Sequence, residues 1–140
     1  MERQILAVLI HESTESFRML EGALHDLSVE TYSVEGHRTT ISLIARLIER
    51  HDPLLVFVDQ PTWEESHAEI IHLAGAAHHS FNAIVVGSLP DIDLQASVLA
   101  QGAYHFVAPP FSHEKLAPVV HQAAGDAWDR REALAHVSPR

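Results

Sequence analysis

Asp59, Glu12 and His11 are the side chains whose types and settings could do chemistry. Asp59 ends the run Pro53-Leu54-Leu55-Val56-Phe57-Val58-Asp59-Gln60-Pro61, in which apolar residues stop abruptly at a carboxylate followed by a proline. Such a run reads as a buried parallel strand whose last side chain emerges at the carboxyl edge of the sheet, where open α/β folds place their ligands. His11 and Glu12 follow another apolar run, residues 5–10. A sheet that sets these two strands side by side brings an imidazole and two carboxylates to one crevice. Two readings of Asp59 stand together: a carboxylate that shares a working pocket with Glu12, or a cap for a loop or the next helix.

The elements that must position these groups alternate along the chain. After the strand at 5–10, Phe17, Leu20, Leu24 and Leu27 recur at helical spacing, with Ser13-Thr14 as a cap. A short strand is expected at 29–34. Ile41, Leu43, Ile44, Leu47 and Ile48 then mark a helix that Pro53 stops. Beyond the Asp59 strand, Thr62-x-x-Glu65 has capping-box form, and Ile70, Leu73, Ala74 and Ala77 give the next helix its buried face. A strand at 83–86, a helix from Pro90-Asp91 carrying Ile92, Val98 and Leu99 and ending near Gly102, a strand at 104–107 and a last helix from Ser112 complete the series. Repeated strand–helix units with short connections require a parallel sheet joined by right-handed crossovers. The fold class is α/β, flavodoxin-like: five parallel strands in the order 2-1-3-4-5 with helices on both faces.

Bulk properties narrow the function. A length of 140 residues suits one domain. The net charge of −10, with dispersed basic residues, excludes direct nucleic-acid binding and points to protein partners. No apolar run is long enough to span a membrane, and the start at Met1-Glu2-Arg3-Gln4 lacks the pattern of a secretion leader, so a cytoplasmic location is expected. Without cysteine there are no disulfides, thiolate nucleophiles or thiolate metal sites. The 12 histidines, among them His67, His72, His78, His79, His105, His113 and His121, form no His-x-x-x-His pair on an expected helix and are read as solvated imidazoles.

The strand ending in Asp59, six residues after a proline, together with Gly102-Ala103-Tyr104-His105-Phe106-Val107-Ala108-Pro109-Pro110-Phe111, resembles the receiver (CheY-like) domain of two-component response regulators. The resemblance runs through roughly residues 5–122. It implies that Asp59 is the position that accepts a phosphoryl group from a histidine kinase. The family's acidic pair falls on His11 and Glu12, a register that puts Met19 and Leu20 on the apolar face of the first helix. Its metal-binding backbone carbonyl falls on Pro61. The hydroxyl residue after the fourth strand falls on Gly87, with Ser88 next to it. The switching aromatic falls on Phe106, and the family's lysine on Pro109.

These departures weaken the implied chemistry. A site of Glu12, Asp59, the Pro61 carbonyl and His11 is poorer for Mg2+ than the family's oxygen-only set. Phosphoryl transfer to a carboxylate needs its charges neutralised, and losing one charged contact costs about 10²–10³ in rate. The resemblance therefore implies an atypical receiver in phosphorelay signalling, not an enzyme, that acts through protein partners: a histidine kinase, a phosphotransfer protein or an output protein. The alternative is a working phosphoacceptor in which Ser88 supplies the hydroxyl and His113 or Lys115 the charge. Two further readings from other classes are a flavin-binding protein using Ser13-Thr14-Glu15-Ser16, opposed by Glu12 and Glu15, and a metal-dependent hydrolase on Glu12, Asp59 and His11, which lacks a general acid.

The last helix is expected to be long, about 24 residues or roughly 36 Å. Pro118 should kink or delay its early part, and Ser138-Pro139 should end it. The receiver-like domain is thus expected at 1–122, and an extension of the helix at 123–140. That overhang, with Trp128 and Leu134, or the face made by the fourth helix, fifth strand and fifth helix, would serve a homodimer or an output partner.

Overall fold

The structure, a computed structural model, describes residues 4–12, 15–35, 41–75 and 79–137. Its strands are β1 (Ile5–His11), β2 (Val29–Glu35), β3 (Leu55–Asp59), β4 (Asn82–Val86) and β5 (His105–Val107). Its helices are α1 (Glu15–Asp26), α2 (Ile41–His51), α3 (Gln60–Ala74), α4 (Ile92–Ala100) and α5 (His113–Val137). The sheet is parallel, in the order β2-β1-β3-β4-β5. This is the flavodoxin-like arrangement expected from the alternation of strands and helices. Ser13-Thr14, Ala77 and Ser138-Pro139, which carried expectations about caps, a core face and a helix end, lie outside the described residues.

Side-chain alternation along buried strands divides the core in two. Ala7, Leu9, Leu55, Phe57, Ile84 and Val86 face α1 and α5, which contribute Phe17, Leu20, Leu24, Leu116 and Val120. Val8, Ile10, Val56, Val58, Ala83 and Val85 face the opposite layer, where Ile44, Ile48, Trp63, Ile70 and Val98 come from α2, α3 and α4. Because β3 is central and both of its faces are covered, all its residues are buried. The register sets Val58 beside Ile10 and Asp59 beside Val86, so the residues just past β1 and β4 converge on Asp59.

Several expected core positions are instead exposed. Met19 is 45% exposed, because the buried set of α1 is Phe17, Leu20 and Leu24, and a residue next to Leu20 is turned about 100° away from it. Ile92, 84% exposed, is the first residue of α4, and only Val98 of that helix is buried; Leu99 also faces water. The α2 helix ends at His51, short of Pro53 as expected. Asp52 there takes a positive φ of 51° and donates its N–H to the Ile48 carbonyl.

The last helix runs from His113 to Val137, through Pro118 and past residue 122. Ala123, Ala124 and Ala127 are buried against the sheet, Trp128 packs on the same core, and the buried Asn82 amide donates to the Ala123 carbonyl at 2.8 Å. Further along, two arginines staple α5 to the amino edge of the sheet. Arg130 donates to Ser80 Oγ and the Phe81 carbonyl, both at 2.9 Å. Arg131 donates to the Ser80 and Pro53 carbonyls at 2.8 Å and to Asp52 Oδ2 at 3.2 Å. Burial pulls the Arg131 guanidinium below its usual range, and the Asp52 carboxylate opposes that pull. Leu134, by contrast, is exposed.

Replacing Arg131 with Met should lower stability by roughly 1.5–3 kcal/mol in urea unfolding, because buried carbonyls lose a charged donor. A second expectation concerns Tyr104, whose phenol donates to Asp126. Burial first, then the Asp126 hydrogen bond and charge, push this phenol up from 10.0 to about 12. The folded state thus keeps a proton that the unfolded chain releases. Its contribution is complete below pH 10.0 and is lost as pH rises towards about 12. Over that window wild-type stability should fall more steeply than that of Tyr104→Phe.

Candidate functional site

Asp59 ends β3, and α3 starts at the next residue with no loop between them. With φ −71° and ψ 161° it is the N-cap of α3, and its Oδ1 accepts from Thr62 N at 3.0 Å. Its Oδ2 accepts from Glu12 N at 2.9 Å. Both oxygens of a side chain only 6% exposed are therefore engaged by backbone N–H groups, one from its own helix and one from the end of β1. Pro61 in the first turn has no N–H to leave orphaned. The capping reading of Asp59 is realised here. Thr62, expected to begin a capping box, is a donor inside the helix.

A cavity of about 400 Å³ opens over this carboxylate, with Glu12, Ser16, Glu64, Gly87 and Ser88 in its wall. Glu64 accepts from Gln60 Nε2 at 3.0 Å. Among the described residues, no lysine, arginine or histidine lines it. His11 is absent from the wall because its ring stacks on Phe17, with centroids 4.4 Å apart. Lys115 lines a separate cavity beside β5, and neither His113 nor Pro109 reaches the Asp59 cavity. The expected trio of His11, Glu12 and Asp59 is thus reduced to the two acids.

This donor set is a sparse one for a magnesium ion. Mg2+ demands near-octahedral oxygen ligation, usually through carboxylates with free lone pairs and several waters. Asp59 already accepts two N–H bonds, and Pro61 lies in the first turn of α3, where carbonyls point along the axis away from the cap. Among the described residues no three His, Cys, Asp or Glu side chains are gathered closely enough to hold a metal ion.

Gly87 follows β4 and donates its N–H to the Val107 carbonyl at 2.9 Å. The Phe106 ring, 6% exposed, occupies the space beside it: a Cβ on residue 87 would lie 2.5 Å from the ring's Cζ. Trp63 escaped the sequence reading. It is fully buried, and its indole N–H donates to Gln101 Oε1 at 2.8 Å, tying the start of α3 to the end of α4. Its spacing of seven residues from Ile70 was the available signal.

No family model and no curated protein matches this sequence. Solved structures do resemble it. A response regulator from Thermotoga maritima superposes with a TM-score of 0.66 at 20% identity, over 85% of this chain and 99% of that one. A response regulator receiver protein from Burkholderia phymatum gives 0.65 at 14% identity, over 87% and 96%. A CheY-like protein, TadZ, from Pseudomonas aeruginosa gives 0.62 at 13%, over 86% and 99%. The chain has the receiver-domain fold.

On that receiver fold the family positions can be placed one by one. Asp59 stands at the carboxyl end of the central strand with Glu12 beside it. Gly87 brings no hydroxyl, whereas Ser88, the next residue, is exposed and lines the Asp59 cavity. Phe106 is turned inward in β5, and Pro109, half-buried, follows that strand.

If Asp59 is held as a cap, Asp59→Ala should cost about 1–2 kcal/mol in thermal or urea unfolding. Asp59→Asn should cost less, since its amide oxygen still serves Thr62 N–H while its NH2 faces Glu12 N–H. A rise in stability for Asp59→Ala would instead mean that repulsion from Glu12 and Glu64 outweighs the cap.

Proposed function

We propose that this chain is an atypical receiver module in phosphorelay signalling that works mainly by binding other proteins, with phosphorylation of Asp59 weak or absent. The observation that carries the reading is the occupation of both Asp59 oxygens by backbone N–H groups, in a cavity whose described wall contains acids and no cation. Phosphoryl transfer to this carboxylate would have to use the lone pairs that the two backbone hydrogen bonds leave on Asp59, and would bring further negative charge beside Glu12 and Glu64. Among the described residues, neither a lysine nor a metal-ready donor set is at hand to neutralise that charge. After transfer, Gly87 and Pro109 would offer the phosphoryl group no differential contact with two states of the domain, and a ligand shifts an equilibrium only through such differences.

The surface in which α4, β5 and α5 meet is the proposed docking face, for a histidine kinase, a phosphotransfer or output protein, or a second copy. A cavity of about 240 Å³ lined by Pro90, Phe106 and Phe111 opens on it, and Leu89 and Ile92, on either side of Pro90-Asp91 in the chain, are 71% and 84% exposed. Apolar area of that kind on a domain surface marks a place for a partner. The net charge of −10 favours a protein partner over nucleic acid. Among the described residues no helix is long and apolar enough to cross a membrane. A cytoplasmic location and a non-enzymatic role belong to this same proposal.

Ser88 favours a second reading, a working phosphoacceptor, since its position in the cavity wall offers a hydroxyl that Gly87 does not. Intact-mass measurement after incubation with acetyl phosphate or phosphoramidate and excess magnesium separates the two. No phosphoryl adduct is expected on the folded protein. An adduct that forms on wild type and disappears in Asp59→Asn would establish the second reading instead.

A further inference from the structure

The cavity over Asp59 and the cavity beside β5 are opposite in charge. The first has acids and no cation in its described wall. The second, of about 240 Å³, is lined by Lys115 and by no aspartate or glutamate, in a chain that carries 19 acidic residues. Lys115 is the only lysine in the sequence, and no carboxylate among the described residues pairs with it. It is exposed in the first turn of α5, where Ser112 Oγ accepts its backbone N–H at 3.2 Å and the helix start adds its own partial positive charge. Much of the remaining wall is apolar, with Pro90, Phe106, Phe111, Leu116 and Val119, while Gln95 supplies an amide. A mostly apolar hollow with a few polar groups that fix orientation is the usual form of a small-ligand pocket. Cavities of ~150 Å³ already admit a benzene molecule, so this one has room for a ring and a short chain. A single ammonium without a guanidinium fork suits a monoanionic carboxylate.

We propose that this cavity binds a small aromatic carboxylic acid, its ring in the apolar wall beside Phe111 and Val119 and its carboxylate on Lys115. The ligand would fill the hollow of the proposed docking face and change its shape with no chemistry at Asp59. That consequence rests on the reading of the chain as a binding module; the binding itself does not.

The test uses the full chain. Reductive methylation with isotope-labelled formaldehyde keeps the ammonium charged and, with one lysine present, gives NMR signals for Lys115 and the amino terminus alone. Hydrocinnamate, a phenyl ring on a short acid chain, should shift the Lys115 methyl signal saturably, with a Kd of about 1 mM for a ligand of this size. Its ring protons should show Overhauser contacts to Val119 and Phe111. Hydrocinnamamide, the neutral isostere, should bind about tenfold more weakly, and acetate, which has no ring, should give no saturable shift. Lys115→Met changes an exposed side chain and should leave the unfolding midpoint in place. Followed through the Val119 methyl signals, it should weaken hydrocinnamate about tenfold and leave the amide unchanged. Equal binding of acid and amide, no effect of Lys115→Met, or no saturable shift with hydrocinnamate, phenylacetate and indole acetate alike would overturn the proposal and leave the cavity as a seat for a partner's side chain. None of these readouts uses a protein partner or a phosphodonor. A phosphoryl adduct on Asp59 would thus sink the proposed function while the ligand site still stands or falls by the acid-to-amide difference.

Discussion

Two backbone N–H groups, from Glu12 and Thr62, converge on the carboxylate of Asp59, and much of the carboxyl edge depends on this convergence. One bond fixes how far the chain travels after β1 before it turns, and the other starts α3 without an intervening loop. A buried carboxylate is tolerable only when it is hydrogen-bonded, so a single side chain ties the end of β1, distant in sequence, to the contiguous β3 and α3. The same bonds reduce what the carboxylate can offer a metal or a phosphoryl group. Structural and chemical roles draw on the same two oxygens, and in this chain the structural role engages both.

The two edges of the sheet have opposite electrostatic character. At the carboxyl edge, Glu12, Asp59 and Glu64 surround a cavity whose described wall has no cation. At the amino edge, Arg130 and Arg131 reach from α5 to the carbonyls of Ser80, Phe81 and Pro53. Those arginines use rigid, multi-donor guanidinium groups to satisfy carbonyls that the strands leave unpaired, and they extend the docking of α5 well past the point where its apolar stripe weakens. The domain is therefore stapled at the end remote from its candidate site. The carboxyl edge and the adjoining face are left to carry cavities and exposed apolar groups.

Periodicity made most of the architecture legible. Continuous apolar runs bounded by Pro, Gly and polar clusters marked the strands, and the need for right-handed crossovers limited the ways of ordering them. Which helix residues are buried was less legible, because an apolar residue beside the true stripe looks the same in sequence as one within it. Met19, expected on the apolar face of α1, is half exposed, and Ile92, one of the apolar residues that mark α4, lies in water, whereas Trp63 is fully buried. Spacing of three, four and seven residues separates these cases only once the helix has a known neighbour.

Local period and chain connectivity were enough to establish the alternation of strands and helices, the central buried strand, and the arrival of Asp59 and Glu12 at one sheet edge. What each group does at that edge was settled by the folded arrangement. Folding turned His11 onto Phe17 and out of the cavity, made Asp59 the cap of α3, set Lys115 beside a different cavity, and laid the Phe106 ring against Gly87. The physical reason is that hydrogen-bond satisfaction and close packing depend on atoms brought together from distant parts of the chain, and a linear pattern carries no record of which lone pair or void each will meet.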